Sequence, residues 1–103
     1  MAKMNKKEKS LIDENSLYHS SEILRALTHP LRLSLIQFID NKRVTNVNRI
    51  YKTLGLEQSI TSQHLKILRQ ADLVKSWRDG NYVIYSLNYQ KIQHVIKVLN
   101  KHI

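Results

Sequence analysis

Residues 58–74 read QSITSQHLKILRQADLV, from Gln58 to Val74. Two patterns overlap in this stretch. At about 100° per residue, Ile60, His64, Leu65, Ile67, Leu68 and Ala71 share one arc of roughly 160°. Ser59, Ser62, Gln63, Lys66, Arg69 and Gln70 fall opposite. The spacing predicts an amphipathic helix over 58–71 whose apolar arc packs on the body of the domain. From Gln58 to Gln70 there is no aspartate or glutamate, unlike an ordinary solvated helix face. Glutamine can pair with adenine, serine with several base edges or phosphate, and lysine or arginine with guanine or phosphate. The polar arc therefore carries chemistry suited to a DNA major groove. His64 lies within the apolar arc and is read as packed or backbone-bonded, not as a base contact. Thr61 leans the same way and is expected to be partly buried.

The flanks strengthen this reading. Upstream, Thr45 is placed as the cap of a short helix from about Asn46 to Leu54, with Val47, Ile50, Tyr51 and Leu54 facing inward. Gly55 ends it in the position where glycine stops helices. A short helix, a tight glycine-containing turn and a second helix make a helix-turn-helix. Arg49 and Lys52 on the first of the pair are candidate backbone clamps, because that helix crosses the phosphates. Downstream the period changes to alternation. Val74–Arg78 and Tyr82–Leu87 are predicted strands, with Asp79-Gly80-Asn81 as the hairpin turn. Lys75, Arg78 and Asn81 are candidates for phosphate or minor-groove contact, set against a plain solvated hairpin. Trp77 and Tyr82 are expected to pack the hairpin against the helices.

Before this unit, Leu17, Ile23, Leu24 and Leu27 predict a helix from about Asp13 to Thr28. His29-Pro30 breaks it, since proline disfavours helix at the preceding residue and suits the first turn of a new one. A second helix follows from about Pro30 to Asp40, with Leu31, Leu35, Ile36 and Ile39 on one side and Asn41-Lys42-Arg43 as a polar connector. A last helix from Tyr89 onward carries Ile92, Val95, Ile96, Leu99 and Ile103. That stripe is wider than contact with a single small body requires, and it serves either as monomer core or as a seam between two copies.

Composition bounds the rest. The 103 residues suffice for one domain, placed at 13–103 behind a flexible basic tail at 1–12 that holds Lys3, Lys6, Lys7 and Lys9. Seventeen Lys and Arg against eight Asp and Glu give a net charge of +9, which favours a polyanionic partner. There is no cysteine, hence no disulfide, thiolate metal site or thiol sensor. No apolar run spans a bilayer and no signal-peptide core follows the first lysines, so a cytoplasmic location is expected. No Ser, His and carboxylate constellation or glycine-rich phosphate loop suggests an enzyme.

The chain resembles the ArsR/SmtB-type repressors. The likeness runs from about Glu22 to Ile103 and rests on ALTHPLRLSLI (Ala26 to Ile36), on QSITSQHLKILRQADLV, and on the wing ending RDGNYVIYSL. It implies a mainly α fold of α+β winged-helix type: a helix-turn-helix, a two-stranded β-wing and a C-terminal dimerisation helix. It implies a homodimer built on the first and last helices, placing Leu17, Leu24, Ile92, Val95, Ile96, Leu99 and Ile103 at the interface. It also implies repression at an imperfect palindrome, relieved by an ion or small-molecule signal. By position in the motif, Gln58, Ser59, Ser62 and Gln63 match the family's DNA-contacting residues.

Three departures stand out. Glu57 occupies a place where the family often has Ser or Thr, removing the usual cap of the reading helix. Asp72 replaces a usual glycine, at a site expected to need a left-handed backbone, which Asp tolerates better than most residues. The metal-ligand positions of the last helix fall on Tyr89, Lys91 and His102, so no metal or other cofactor is assigned. His94 and His102 are eight residues apart, roughly two turns, too far to chelate one ion together. A metal-responsive repressor with an atypical histidine site, involving His19 or a partner copy, is one alternative. A winged helix that has lost DNA binding and docks a protein is another.

Overall fold

The computed structural model describes Ser21 and residues 23–101. The basic tail, Leu17, His19, His102 and Ile103 lie outside the described residues. Residues 23–28 are helical, and the break at His29 is as expected. Helix α1 is Pro30–Lys42, β1 is Thr45–Asn46, α2 is Val47–Leu54 and α3 is Gln58–Gln70. Strands β2, Val74–Asp79, and β3, Tyr82–Leu87, follow, and α4 is Tyr89–Lys101.

Proline at the first position and the His29 side chain, whose Nδ1 accepts from the Leu31 N–H at 3.2 Å, start α1. It runs further than the sequence suggested. Asn41 and Lys42 are helical, not connector, and the turn is made by Arg43, whose φ of 68° ends the helix while its N–H bonds the Ile39 carbonyl at 2.7 Å. Asn46, not Thr45, caps α2: its Oδ1 accepts from the Arg49 N–H at 2.8 Å. Thr45 is drawn instead into a short third strand, paired with Tyr85, while Asn46 pairs with Ile84. Two residues are too few to leave an alternating pattern, so this strand had no sequence signal. Gly55 ends α2 in the left-handed conformation, φ 67° and ψ 36°.

The sheet is antiparallel throughout, in the order β1-β3-β2. Val74 opposes Leu87 at the base and Asp79 opposes Tyr82 at the tip, so the turn is the two residues Gly80 and Asn81. The positive φ of 61° at Gly80 is what that tight connection needs. Alternation puts Val74, Ser76 and Arg78 with Val83, Tyr85 and Leu87 on one face, and Lys75, Trp77 and Asp79 with Tyr82, Ile84 and Ser86 on the other. Val74 and Leu87 are buried. Trp77 and Tyr82 are on the opposite face, 45% and 52% exposed, and do not pin the wing to the helices as expected.

The core lies where α1, α2 and α3 meet the inner face of the sheet. Leu35 and Ile39 of α1, Ile50 of α2, Leu65 and Leu68 of α3, and Leu73 just before β2 are fully buried. Each such side chain is worth about 1.5–3 kcal/mol relative to exposure. The result is a winged helix-turn-helix whose second helix has one face fixed in this core and the other turned outward.

Candidate nucleic-acid interface

Helix α3 buries Thr61, Leu65 and Leu68 and exposes Gln58, Ser59, Ser62, Gln63, Lys66, Arg69 and Gln70. The sequence wheel is reproduced apart from Ile60, which is 40% exposed at the margin of the apolar arc. Thr61 is buried outright, and its hydroxyl donates to the Glu57 carbonyl at 2.9 Å. A buried hydroxyl needs such a partner, and the backbone one turn earlier supplies it. Glu57 stands at the cap position with extended backbone and makes no side-chain cap bond, as the substitution there suggested.

The two ends of α3 are tied differently. Asp72, just beyond its C-terminus, has φ 62°, the left-handed conformation expected for the residue replacing glycine. At the last turn Arg69 reaches the wing, where its Nη1 donates to Ser76 Oγ at 3.5 Å, a long bond. Burial pushes the Tyr85 hydroxyl above its ordinary range, and the Arg69 charge pulls it partly back. Arg69 thus joins α3 to the wing, whereas Lys66 projects from the exposed face one turn earlier.

The cations expected to flank α3 are all at the surface: Arg49 and Lys52 on α2, Lys75 and Arg78 on β2, with Asn81 in the hairpin turn. The helix pair presents the first two and the wing the others. Among the described residues, none of these groups forms an ion pair with a carboxylate; Arg43 does so with Asp40, at 3.8 Å.

His64 is half-buried, as expected, but it is not backbone-bonded. Its Nδ1 accepts from Arg32 Nε at 3.1 Å, and its ring lies 4.7 Å from that of His29. Arg32 was not singled out from sequence although it is 7% exposed. The signal was present: residues 32, 35 and 39 share one side of α1, and the last two are core leucine and isoleucine.

The residues do not fit a metal centre at the positions the family resemblance implies. Tyr89 gives its hydroxyl to Asp40 Oδ1 at 2.7 Å, Lys91 offers an ammonium, and among the described residues no group of three His, Cys, Asp or Glu side chains comes together. Nor is any described helix long and apolar enough to cross a membrane.

A helix-turn-helix with an exposed amide-and-hydroxyl face beside a basic wing is the architecture of a DNA-binding regulator. Comparison with known proteins places it more narrowly. Residues 29–76 match the family model described as "Bacterial regulatory protein, arsR family". The chain is 36% identical over 89 residues to the transcriptional repressor PagR of Bacillus anthracis, covering 86% of this chain and 89% of the relative. It is 30% identical over 84 residues to the regulator YgaV of Escherichia coli, covering 82% and 85%. The crystal structure of PagR superposes with a TM-score of 0.67 at 34% identity, covering 84% of this chain and 99% of that one. HlyU from Vibrio cholerae does so with 0.68 at 27%, covering 87% and 96%. The chain belongs to the arsR family of bacterial regulatory proteins; it is a DNA-binding transcriptional regulator and not an enzyme.

Proposed function

We propose that two copies of this chain form a twofold repressor that holds an imperfect palindrome in its two reading helices. The observation that carries the reading is the uninterrupted exposure of Gln58, Ser59, Ser62, Gln63, Lys66 and Arg69 on a helix whose opposite side is locked in the core. A major groove admits such a helix, and amides and hydroxyls read base edges there. In this reading Gln63, Ser59 and Ser62 face bases, with Gln58 at the helix start beside a phosphate. Lys66 and Arg69 meet phosphate or guanine, Arg49 and Lys52 clamp the backbone from α2, and Lys75, Arg78 and Asn81 hold it from the wing.

The dimer rests on α4 and the helix ahead of α1. Leu24 and Ile96 are 49% and 50% exposed, while Ile92 and Val95 on the same helix as Ile96 are half-buried against the core. Leu99 continues the stripe by position. A twofold dimer carries about +18 and sets its reading helices about 34 Å apart, or a multiple of that, to match two half-sites. Repression follows when the bound dimer occludes a promoter. The relative PagR is called a repressor.

The test is selection of bound duplexes from a random pool, with the mass of the complex measured alongside. Enrichment of a palindrome bound by two chains supports the reading. A pool that stays random, or a single half-site bound by one chain, overturns it.

A further inference from the structure

Three groups meet where α1, the residues ahead of it and α3 touch. Arg32 of α1 is buried, and a guanidinium has only donors and never loses its proton in a protein. Its Nε–H donates to His64 Nδ1 at 3.1 Å, so that nitrogen must hold a lone pair. Its Nη1 donates to the Arg25 carbonyl at 2.9 Å, which stops the guanidinium from swinging aside. His29 stands on the other flank, its ring 4.7 Å from that of His64 and its own Nδ1 occupied by the Leu31 N–H. A protonated imidazole carries hydrogen on both nitrogens. Protonating His64 therefore breaks the Arg32 bond and sets a new cation against a buried one.

We propose that His29, Arg32 and His64 form a proton-operated latch between α1 and the reading helix, closed while His64 is neutral and opened when it takes up a proton. The latch is a matter of geometry; its effect on DNA rests on the function proposed above. Burial first, then the charges of His29 and Arg32, hold His64 below the ordinary histidine range. Helix α2 and strand β2 also pack on α3 and carry Arg49, Lys52, Lys75 and Arg78, but the charges acting on His64 come from His29 and Arg32. Because the closed state lowers the proton affinity of His64, its contribution to stability is complete above the ordinary value. It is lost as pH falls from there through the lowered one. The one titration reaches three segments at once, including the helical residues that the dimer reading places at the seam.

The experiment compares the full chain with His64→Asn, whose amide oxygen can stand in for Nδ1 and accept from Arg32 but cannot titrate. Melting temperature, affinity for a selected duplex at fixed ionic strength, and imidazole NMR signals are followed from about pH 7.5 to about pH 5.5, across the histidine range. The latch requires the native chain to lose melting temperature and duplex affinity on acidification, and His64→Asn to lose clearly less of both. Equal losses in the two proteins overturn it. So does a gain in affinity by the native chain on acidification, as simple added positive charge would give. Should His64→Asn not fold, the native NMR series decides: a His64 titration below that of a free histidine, moving together with the Arg32 Nε–H signal, supports the latch, and an ordinary titration that leaves Arg32 unmoved overturns it. Absence of duplex binding at every pH would count against the proposed function, while the melting and NMR series would still decide the latch.

Discussion

Asn88 holds Asp72 from across the wing: its Nδ2 donates to the Asp72 carbonyl at 3.0 Å. The same side chain accepts the Lys91 N–H through Oδ1 at 3.3 Å, and the Asn88 backbone N–H donates to the Leu73 carbonyl at 2.9 Å. One amide thus joins the exit of α3 to the entry of α4, with the whole hairpin looped out between. Asn88→Ala removes the tie to Asp72 and the helix-start acceptor together. The expected loss is about 0.5–2 kcal/mol, the usual worth of such a cap. Denaturant unfolding checks it, and an unchanged midpoint would show that the wing base is held by its strand pairing alone.

Asp72 itself sits at φ 62°. A left-handed backbone costs a non-glycine residue about 1–2 kcal/mol, less for Asp, whose short polar side chain can bond locally. Asp72→Ala should melt below the native chain, and Asp72→Gly should melt at or above it despite glycine's greater freedom when unfolded. The opposite order of melting temperatures would mean that the Asp72 carboxylate, not its backbone, matters there.

Much of the fold was legible in the sequence, for reasons that individual residues explain. Helix α3 was clear because Leu65 and Leu68 repeat at helical spacing against an unbroken polar arc, and Gly55 and Pro30 punctuate the chain where backbone geometry demands it. What failed was short-range or tertiary. Strand β1 has only Thr45 and Asn46, too short for periodicity, and its existence depends on Ile84 and Tyr85 far along the chain. Trp77 and Tyr82 are large apolar side chains, but strand parity, which only the register with β3 fixes, turns them outward. The partner of His64 was unreadable because Arg32 lies 32 residues away. The exposed polar side of α3 was legible as a face from its helical spacing.

Ile60 and Leu65 separate the two sides of α3 in stability terms. Leu65 is wholly buried and Ile60 is 40% exposed, although the sequence wheel assigned both to the apolar arc. Leu65→Ala leaves a cavity in a filled core and should cost about 2–5 kcal/mol. Ile60→Ala should cost about 1 kcal/mol or less, since it removes little buried surface. Comparable losses in the two variants would place Ile60 against an apolar surface such as a second copy of the chain.

Tyr89 offers a test at the other end of the pH scale. Its hydroxyl donates to Asp40 at 2.7 Å, and Arg43 lies over its ring, 5.3 Å from the centroid. The bond to Asp40, followed by burial, raises its pKa above the ordinary tyrosine value, with Arg43 opposing. A raised folded pKa means that the contribution is complete below the ordinary value and is lost as pH rises through the raised one. Tyr89→Phe should therefore be slightly less stable than the native chain at neutral pH, by about 0.5 kcal/mol for a solvent-facing bond. The gap should close in alkaline solution above about pH 10, the ordinary tyrosine value. A gap that persists there would assign the difference to packing and not to the proton.

Gln63 and Lys66 lie one turn apart on the exposed face of α3 but should fail in different ways. In the proposed complex Gln63 pairs with a base edge. Gln63→Ala should therefore weaken the selected duplex by about 1–3 kcal/mol and relax preference at one base pair in each half-site. Lys66 as a phosphate ligand carries no sequence information. Lys66→Ala should weaken every duplex alike and reduce the slope of log affinity against log salt by about 0.9 for each phosphate that the lysine neutralised. Binding curves for the selected and a scrambled duplex at several salt concentrations separate the two effects. If Gln63→Ala binds both duplexes as the native chain does, α3 does not lie in the groove in the register proposed. If Lys66→Ala changes base preference instead of the salt slope, the helix is rotated so that Lys66 and not Gln63 faces the bases.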